Sequence, residues 1–378
     1  MEKYLELLSE KTPFDLFVSK RFKRELFDIP DVRNSLDKEI ADLIKNMKNQ
    51  NENHIVAIVG DTGLGKTHFF WVLSNSINLK APNFHITYIS PQDTKIVDIY
   101  FELCLNILTD LGEQSLKSIA SEIINITGGK TINLDLLGLI KIKKSPRTII
   151  KQIFQKIGKD ISDFEQSLIK VFIYLGSGTT FEREIALKWL KKESLTAKEL
   201  KKLGIKSNDF TEKEYEEIFK IITTYIGKPL ILFFDDIEYY QLLEKERELA
   251  ELINSLYKNL NSVLIILTSL TGSWSYFKNL FETVLKKDFK NIKSLNNFTE
   301  KNVQNFYKKS MGEFWKKNKL KPPQDPLYPL DDKILRIIHL RSKGNPRLVK
   351  KMLKESIEQE LYEIQVENLW ELKEMISK

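Results

Sequence analysis

The stretch "IVAIVGDTGLGKTHFF", Ile55 to Phe70, decides the fold. Five mostly apolar, β-favouring residues end at Val59, and the pattern G-x-x-x-x-G-K-T follows from Gly60 before an apolar helical run begins. This order predicts a strand, a glycine-rich loop and the start of a helix. The backbone N–H groups of such a loop point inward, and the helix N-terminus adds partial positive charge. The stretch therefore predicts a binding site for phosphate groups.

The residues of this loop indicate a nucleoside triphosphate as the ligand. We expect Lys66 to reach the β- and γ-phosphates and the Thr67 hydroxyl to ligate Mg²⁺. A chance glycine-rich turn after a strand is the alternative, which the complete motif in this context disfavours. The predicted nucleotide-binding residues are Gly60, Asp61, Thr62, Gly63, Leu64, Gly65, Lys66, Thr67 and His68. ATP and Mg²⁺ are the expected cofactors.

Length and composition limit the classes of protein to consider. The 378 residues suggest two or three structural units, and 42% hydrophobic content is ample for a core. No apolar run approaches the roughly 18 residues of a membrane span, and the N-terminus carries acids where a signal peptide is basic and then apolar. We expect a cytoplasmic protein with no membrane partner. One cysteine excludes an internal disulfide, and the net charge of +7 permits a nucleic-acid partner without requiring one.

Alternating strands and helices around the loop predict a parallel sheet with helices on both faces. The loop is followed by the strand "HITYIS", a helix within "KIVDIYFELCLNILTDLG", the strand "PLILFFDDI", a helix near "ERELAELINSLYKNL" and the strand "SVLIILTSL". About a hundred residues separate the helix within "KIVDIYFELCLNILTDLG" from the strand "PLILFFDDI", far more than a connection between neighbouring parallel strands requires. They are predicted to be an insertion, with "SPRTIIKQIFQKIGK" and "FEREIALKWLKKESLTAKELKKLGI" as its main helical stretches.

The predicted fold class is α/β, with a parallel-sheet P-loop core, a helical insertion and a C-terminal helical lid. Residues 1–112 are assigned to an N-terminal segment and the first part of the core, and 113–210 to the mostly helical insertion. Residues 211–295 form the second part of the core, and 296–378 form the lid.

The strand "LILFFDDIE" ends in adjacent carboxylates that complete the predicted nucleotide site. Asp235 is the expected Mg²⁺ ligand, through water, and Asp236 is the candidate base that polarises the attacking water, with Glu238 as the weaker alternative base. Adjacent acids also occur at ordinary strand ends, but the upstream phosphate loop favours the catalytic interpretation. Thr268 and Ser269 end the next strand and could hold the attacking water if the two strands are neighbours. Alternatively, their hydroxyls satisfy a strand end.

These segments together resemble the AAA+ ATPases: the Walker A loop "GDTGLGKT", the Walker B strand "LILFFDD", a sensor-1 strand ending "LTS" and a sensor-2 helix "GNPRLVK". The segment "IPDVRNSLDKEIADLI" also resembles the part of the replication-initiator branch that packs on the adenine. The resemblance implies that Ile29, Pro30 and Val32 touch the base, and that Arg347 reaches the γ-phosphate from the lid.

The insertion is similar to that of the ATP-binding proteins of BREX-type phage-exclusion systems and their archaeal relatives. The resemblance rests on "GKTHFF", on "ISPQDTKIVDIYFELCLNIL", and on an Arg-x-x-Ala-Leu-x-Trp-Leu motif in "EREIALKWLKKESLTAKELKKLGI". Two departures affect catalysis. Asp236 stands where AAA+ proteins usually have glutamate, as in signalling-type (STAND) NTPases, and Lys286 and Lys287 stand where many have an arginine finger.

The resemblance implies an ATPase that couples nucleotide state to conformational change in a DNA-transaction or phage-defence complex, and that forms a homo-oligomer. The alternative is a STAND-like switch or scaffold with slow hydrolysis and only a protein partner.

Two lysine-rich stretches are candidates for contacting DNA. Residues 141–159 hold seven basic residues and no acid, and "FYKKSMGEFWKKNKLK" interleaves aromatic residues with lysines. Both could follow a phosphate backbone, with stacking from the aromatic rings. Alternatively, both are solvated helix faces whose lysine stems cover apolar surface. The predicted nucleic-acid contacts are Lys141, Lys143, Lys144 and Arg147.

Overall fold

Five parallel strands lie at the centre of the protein, whose structure is a computed structural model. The structure describes residues 2–15, 33–50, 52–79, 84–90, 98–110, 116–121, 132–134, 141–143, 145–157, 162–207, 209–226 and 228–377. The strands, in chain order, are β1 (His54–Val59), β2 (His85–Ile89), β3 (Ile132–Leu134), β4 (Lys141–Lys143), β5 (Leu230–Phe234), β6 (Val263–Ser269) and β7 (Ile292–Ser294). The central sheet has the order β2-β5-β6-β1-β7, and all its neighbouring pairs are parallel. This confirms the predicted α/β P-loop core.

Helices cover the sheet and build the insertion and the lid. In chain order they are α1 (Glu2–Glu10), α2 (Asn34–Gln50), α3 (Lys66–Leu79), α4 (Ile99–Asp110), α5 (116–121), α6 (Pro146–Ile157), α7 (Asp163–Ser177), α8 (Thr180–Leu190), α9 (Ala197–Leu203), α10 (Glu212–Tyr225), α11 (Tyr239–Leu242), α12 (Glu246–Asn259), α13 (Thr271–Leu285), α14 (Glu300–Lys317), α15 (Asp332–Ser342) and α16 (Pro346–Ser377). Within the described ranges, no helix is both long enough and apolar enough to cross a bilayer.

The two faces of the sheet bury alternate residues of the same strands. Val56 and Ile58 of β1 pack with α2 and α3 on one face, whereas Ala57 and Val59 pack with residues of α4, α10, α12 and α13 on the other. Strand β5 is buried along its whole length because both of its faces are covered. The continuously apolar sequence "LILFF" suits this position. Burial of the whole strand fixes its carboxyl end, and the acidic pair Asp235 and Asp236 follows directly.

The insertion is mostly helical, and its helices begin at sequence-encoded caps. Helices α7 to α10 each start with a capping box, in which a hydroxyl and a glutamate three residues later bond each other's backbone N–H groups. The capping hydroxyls belong to Ser162, Thr179, Thr196 and Thr211. The predicted helical stretches contain α6, α8 and α9. The structure adds α7 and the antiparallel pair β3–β4.

The Arg-x-x-Ala-Leu-x-Trp-Leu motif lies along α8 and has structural roles. The Arg183 guanidinium donates to the Gly178 carbonyl at 2.8 Å, and the Trp189 indole N–H donates to the Ser207 carbonyl at 2.8 Å. The Trp189 ring is buried and meets Phe210 edge-on, with the ring centroids 4.3 Å apart. The motif therefore joins α8 to the segments on either side of it, and its apolar residues belong to the same cluster as one face of the sheet.

The lid consists of α14, α15 and α16, together with the first helix of the chain. Leu8 and Phe14 are buried in the lid cluster, and the Phe14 ring stacks on Tyr307 with centroids 6.0 Å apart. The sequence predicts an N-terminal segment ahead of the core within residues 1–112. In the structure the start of this segment packs on the lid, where its apolar side chains contact α14 and α16.

The turn between α15 and α16 is fixed by close backbone contacts. Gly344 has φ of +72°, and a Cβ at this position would lie 2.1 Å from the Phe298 carbonyl oxygen. The Phe298 N–H donates to the Gly344 carbonyl at 2.7 Å. Glycine is therefore required there, and the start of α16 is held against Phe298, which lies just before α14.

Candidate nucleotide site

The phosphate loop, residues 60–67, connects β1 to α3 in a conformation that depends on glycine. Gly63 and Gly65 have φ of +89° and +96°, a region that L side chains rarely adopt. The Gly60 N–H donates to the Ser269 carbonyl at 3.1 Å, so the loop starts beside the end of β6. The predicted strand, loop and helix are all present, and α3 begins at Lys66.

Lys66 lies inside the loop rather than on the surface. Only 6% of the residue is exposed, and its Nζ donates to the Gly60 carbonyl at 2.9 Å. Asp61 and Thr62 form the exposed outer part of the loop, while Leu64 and His68 are half-buried. The ammonium group is thus positioned at the concave side of the turn, close to the N-terminus of α3.

Asp235 is the point at which three strand ends meet. The residue is 1% exposed, and its carboxylate accepts hydrogen bonds from three hydroxyl groups. Thr67 and Tyr88 donate to Oδ2 at 2.6 Å and 2.8 Å, and Thr268 donates to Oδ1. Tyr88 was not predicted as a site residue. Its hydroxyl near the carboxyl end of β2 was the available signal, because the carboxyl ends of parallel strands share one edge of the sheet.

Thr268 holds the turn that follows β5. Its Oγ1 accepts the Asp236 N–H at 2.9 Å, and its carbonyl accepts the Ile237 N–H at 3.0 Å. The single proton of this hydroxyl is donated to Asp235, so it cannot also be donated to an attacking water. Ser269 bonds its own strand end, since its Oγ donates to the Leu270 carbonyl at 3.3 Å. For both residues the geometry favours a structural role over the predicted contact with water.

Asp236 is held in an unusual backbone conformation with a perturbed carboxyl group. Its φ of 47° lies in the left-handed region, which aspartate tolerates better than most residues. Burial, followed by the nearby charges of Asp235 and Glu238, raises the pKa of Asp236 to about 6, against the opposing effect of Lys66 and Arg347. A carboxyl group with this pKa is ionised at neutral pH and more basic than an exposed aspartate, which suits a general base.

Glu238, the alternative base, is engaged elsewhere. Its Oε2 accepts the Leu270 N–H at 3.3 Å, at the start of α13. Burial is the largest cause of the raised pKa of Glu238. Because this carboxylate bonds the backbone at a helix start, the geometry favours Asp236 as the base.

The lid contributes two residues at the mouth of the site. Arg347, near the start of α16, is close enough to Asp236 to lower its pKa. The Asn345 side-chain amide donates from Nδ2 to the Thr62 carbonyl of the phosphate loop at 2.9 Å. Arg347 is a predicted site residue, whereas Asn345 was not predicted. The Asn-Pro pair at a helix start was the available signal, because it identifies Asn345 as the helix cap.

The remaining predicted contacts are only partly placed. Ile29, Pro30 and Val32, expected at the adenine, lie outside the described residues, as does Lys144. Lys141 and Lys143 belong to β4, and Arg147 is exposed in the first turn of α6. The DNA-contact candidates are therefore on the insertion, on elements separate from the nucleotide site.

The oxygen atoms around Asp235 fit a magnesium ion. Mg²⁺ prefers hard oxygen ligands and is usually bound in proteins through one or two carboxylates together with substrate phosphates. Thr67 and Asp235 bring a hydroxyl and a carboxylate oxygen to within 2.6 Å of each other at the foot of the phosphate loop. These are the two residues that would hold the ion.

Comparison with known proteins identifies the family. The model of the BREX system ATP-binding protein BrxC/D matches residues 31–279, which include the phosphate loop, the insertion and the acidic pair. A comparison with curated proteins gives no match. Among solved structures, the Orc1 protein of Aeropyrum pernix in complex with DNA aligns with 12% sequence identity and a TM-score of 0.44, covering 92% of this chain and 68% of that chain. The family match extends over more than half of the chain and confirms the resemblance of the insertion, so the chain belongs to the BREX system ATP-binding protein BrxC/D family.

Proposed function

We propose that the protein hydrolyses ATP with Mg²⁺ and couples the nucleotide state to the position of the lid, within a phage-defence or DNA-transaction complex. The observation that carries this proposal is the convergence on Asp235. One carboxylate accepts hydroxyl groups from the phosphate loop, through Thr67, and from the end of β6, through Thr268. The residues proposed for phosphate binding, metal binding and water activation therefore lie at one edge of the sheet.

In the proposed reaction, the loop N–H groups and Lys66 bind the β- and γ-phosphates. Thr67 and Asp235 would hold Mg²⁺, and the ion would neutralise charge on the phosphate oxygens. Asp236 accepts a proton from the water that attacks the γ-phosphorus, and the bond from that phosphorus to the bridging oxygen of ADP breaks. Arg347 stabilises the charge on the γ-phosphate from the lid.

The competing function is a nucleotide-dependent switch that binds ATP tightly and turns over little. It is motivated by Asp236, whose side chain is shorter than the glutamate usual in AAA+ proteins. The two functions differ in single-turnover hydrolysis, measured with protein in excess over radiolabelled ATP. We expect complete conversion to ADP and phosphate with Mg²⁺, and none with EDTA. Tight binding of ATP that stays intact over hours would favour the switch.

A contact with DNA is the second part of the proposed function, and the packing of the lid favours the insertion as its location. The aromatic side chains of the lysine-rich stretch on α14 are buried in the lid cluster: Phe306, Tyr307, Phe314 and Trp315. Buried rings cannot stack on bases, so these aromatic residues do not form the base-stacking surface that the sequence suggested. The lysines of this stretch are better explained as the solvated face of a packed helix.

Cations from separate elements of the insertion lie close together. The Tyr174 hydroxyl accepts a hydrogen bond from the Arg147 side chain and donates to the Lys202 carbonyl at 3.2 Å. The first turn of α6 therefore lies beside the end of α9, where Lys201 and Lys202 are exposed. Lys202 also pairs with Glu182 at 3.2 Å. A surface of this kind can follow a phosphate backbone without reading its sequence.

Neutralising Lys141, Lys143, Lys144 and Arg147 together to glutamine is expected to weaken binding to all DNA sequences alike. Each lost phosphate contact should flatten the plot of log affinity against log salt by about 0.9 for duplex DNA or about 0.7 for single strands. The ATPase rate without DNA should be unchanged. The measurement is a salt series of fluorescence-anisotropy titrations, with and without ATP.

The matched control for this experiment neutralises four exposed lysines of the lid: Lys308, Lys317, Lys319 and Lys321. The control removes the same formal charge, so general attraction to DNA decreases equally in both variants. A flatter salt dependence in the control alone would assign the contact to the lid. Absence of binding by the wild type at low salt, in either nucleotide state, would refute the nucleic-acid proposal.

A further inference from the structure

Asn345 is the cap of the helix that carries Arg347. Its Oδ1 accepts the N–H groups of Arg347 and Leu348 at 3.1 Å and 3.3 Å. Pro346 occupies the first helical position, where its missing N–H costs nothing and its fixed φ suits the helix. The amide oxygen of Asn345 therefore determines where α16 begins, and with it the position of Arg347 two residues later.

The other end of the same amide contacts the phosphate loop. The Asn345 Nδ2 donates to the Thr62 carbonyl at 2.9 Å, across 283 positions of sequence. Among the residues that cap helices well, asparagine alone combines an acceptor for the cap with an –NH₂ donor. Aspartate has no donor, and serine is too short to span both partners. One planar group thus bonds the lid helix on one side and the loop backbone on the other.

The loop and the helix start are also in direct steric contact at Gly63. A Cβ on Gly63 would lie 2.6 Å from the Asn345 Oδ1 and 2.8 Å from the Arg347 Cβ. No side chain fits between these two segments, so the lid touches the loop backbone itself. The loop backbone is the part whose N–H groups bind phosphate, so it is the part that responds to the nucleotide.

The lid side of this contact is rigid. Gly344 precedes Asn345, and its N–H bonds the Ser342 hydroxyl at 3.1 Å while its carbonyl accepts the Phe298 N–H at 2.7 Å. A shift of the Thr62 carbonyl is therefore transmitted to α16 through Asn345 rather than absorbed by the turn before it.

From these contacts we infer that Asn345 is a positioning residue, which ties Arg347 to the backbone conformation of the phosphate loop. The inference deepens the proposed ATPase function and rests on it for the role of Arg347. The side chain need not touch the nucleotide. It fixes the distance between the loop that binds the phosphates and the guanidinium that reaches the γ-phosphate.

The test compares Asn345→Ser with Asn345→Ala. Serine keeps a good helix cap, is neutral and cannot reach the Thr62 carbonyl, whereas alanine loses both the cap and the bridge. With Asn345→Ser we expect kcat to fall about five- to tenfold, the change for one lost hydrogen bond of ordinary strength, with little change in KM for ATP. The unfolding temperature should fall less for Asn345→Ser, which keeps the cap, than for Asn345→Ala, which loses it.

A double-mutant cycle with Arg347→Ala separates positioning from general stability. If Asn345 acts through Arg347, then Asn345→Ser should lower kcat no further once Arg347 is alanine. An equal loss of kcat in both backgrounds would overturn the inference, as would a wild-type kcat for Asn345→Ser.

A distance measurement keeps the inference testable if the wild type proves not to hydrolyse ATP. Spin labels at Lys258→Cys in the core and Lys333→Cys in the lid use exposed positions, and the native Cys104 is buried. A slowly hydrolysed ATP analogue should narrow the distance distribution in the labelled wild-type background but not with Asn345→Ser. The same narrowing with and without Asn345→Ser would refute the role of Asn345. If the wild type does not hydrolyse ATP but the two distance distributions still differ, only the ATPase proposal is refuted.

Discussion

Replacing Lys66 with alanine is expected to abolish ATP binding, with a loss of affinity on the order of 100-fold or more, because charge-assisted hydrogen bonds to two phosphate groups are removed. The structure makes this effect large. Lys66 is 6% exposed and lies inside the loop, where few waters can replace its contacts with a ligand. Isothermal titration calorimetry with ATP and Mg²⁺ measures the change directly.

The control for this prediction has to separate charge from packing. Lys66→Met keeps most of the buried stem and removes the ammonium group, so it should lose ATP affinity as Lys66→Ala does while keeping an unfolding temperature closer to that of the wild type. If Lys66→Met binds ATP with wild-type affinity, then Lys66 is not a phosphate ligand, and the loop binds through its backbone alone.

The parts of the fold that could be predicted from the sequence are those whose pattern reflects local physics. The strand ending in Asp235 is continuously apolar because both of its faces are covered, and the phosphate loop needs glycine wherever φ is positive. Helix α7 was not predicted, although "SDFE" at its start is a capping box. The helix is buried on several sides, so its apolar residues do not form the single stripe by which an amphipathic helix is recognised.

The residues that were missed act through long-range contacts. Tyr88 and Asn345 reach Asp235 and Thr62 across 147 and 283 positions of sequence. The local pattern places Tyr88 near a strand end and Asn345 at a helix start, but it does not identify their partners, which depend on strand order and on how the lid packs against the loop. The packing of Phe14 on the lid has the same origin, because a short apolar segment at one end of a chain does not reveal which domain covers it.

Asp236→Asn is expected to retain ATP binding and lose turnover by about 10²- to 10⁴-fold, the usual contribution of a general base. Asparagine is the closest match that the position allows. It has the same shape, it tolerates the left-handed φ of 47° as well as aspartate does, and its backbone N–H can keep the bond to Thr268. The substitution removes the negative charge of the side chain and, with it, the ability to accept a proton. Single-turnover hydrolysis, together with titration of an ATP analogue, measures both quantities.

The raised pKa of Asp236 gives this prediction two further readouts. Burial raises the pKa to about 6, so the wild-type rate should fall as the pH drops through 6, where the base becomes protonated, and level off above about pH 7. The rate of the asparagine variant should not show this fall at low pH.

The stability of the protein is the second readout. Because the pKa of Asp236 is higher in the folded state than in the unfolded state, ionised Asp236 disfavours folding, and the stability that this group contributes is lost as the pH rises through 6. Asp236→Asn should therefore unfold at an equal or higher temperature than the wild type at pH 8, which excludes misfolding as the cause of lost turnover. Wild-type turnover by this variant would disprove the assignment and transfer the role of base to Glu238, to be tested with Glu238→Gln.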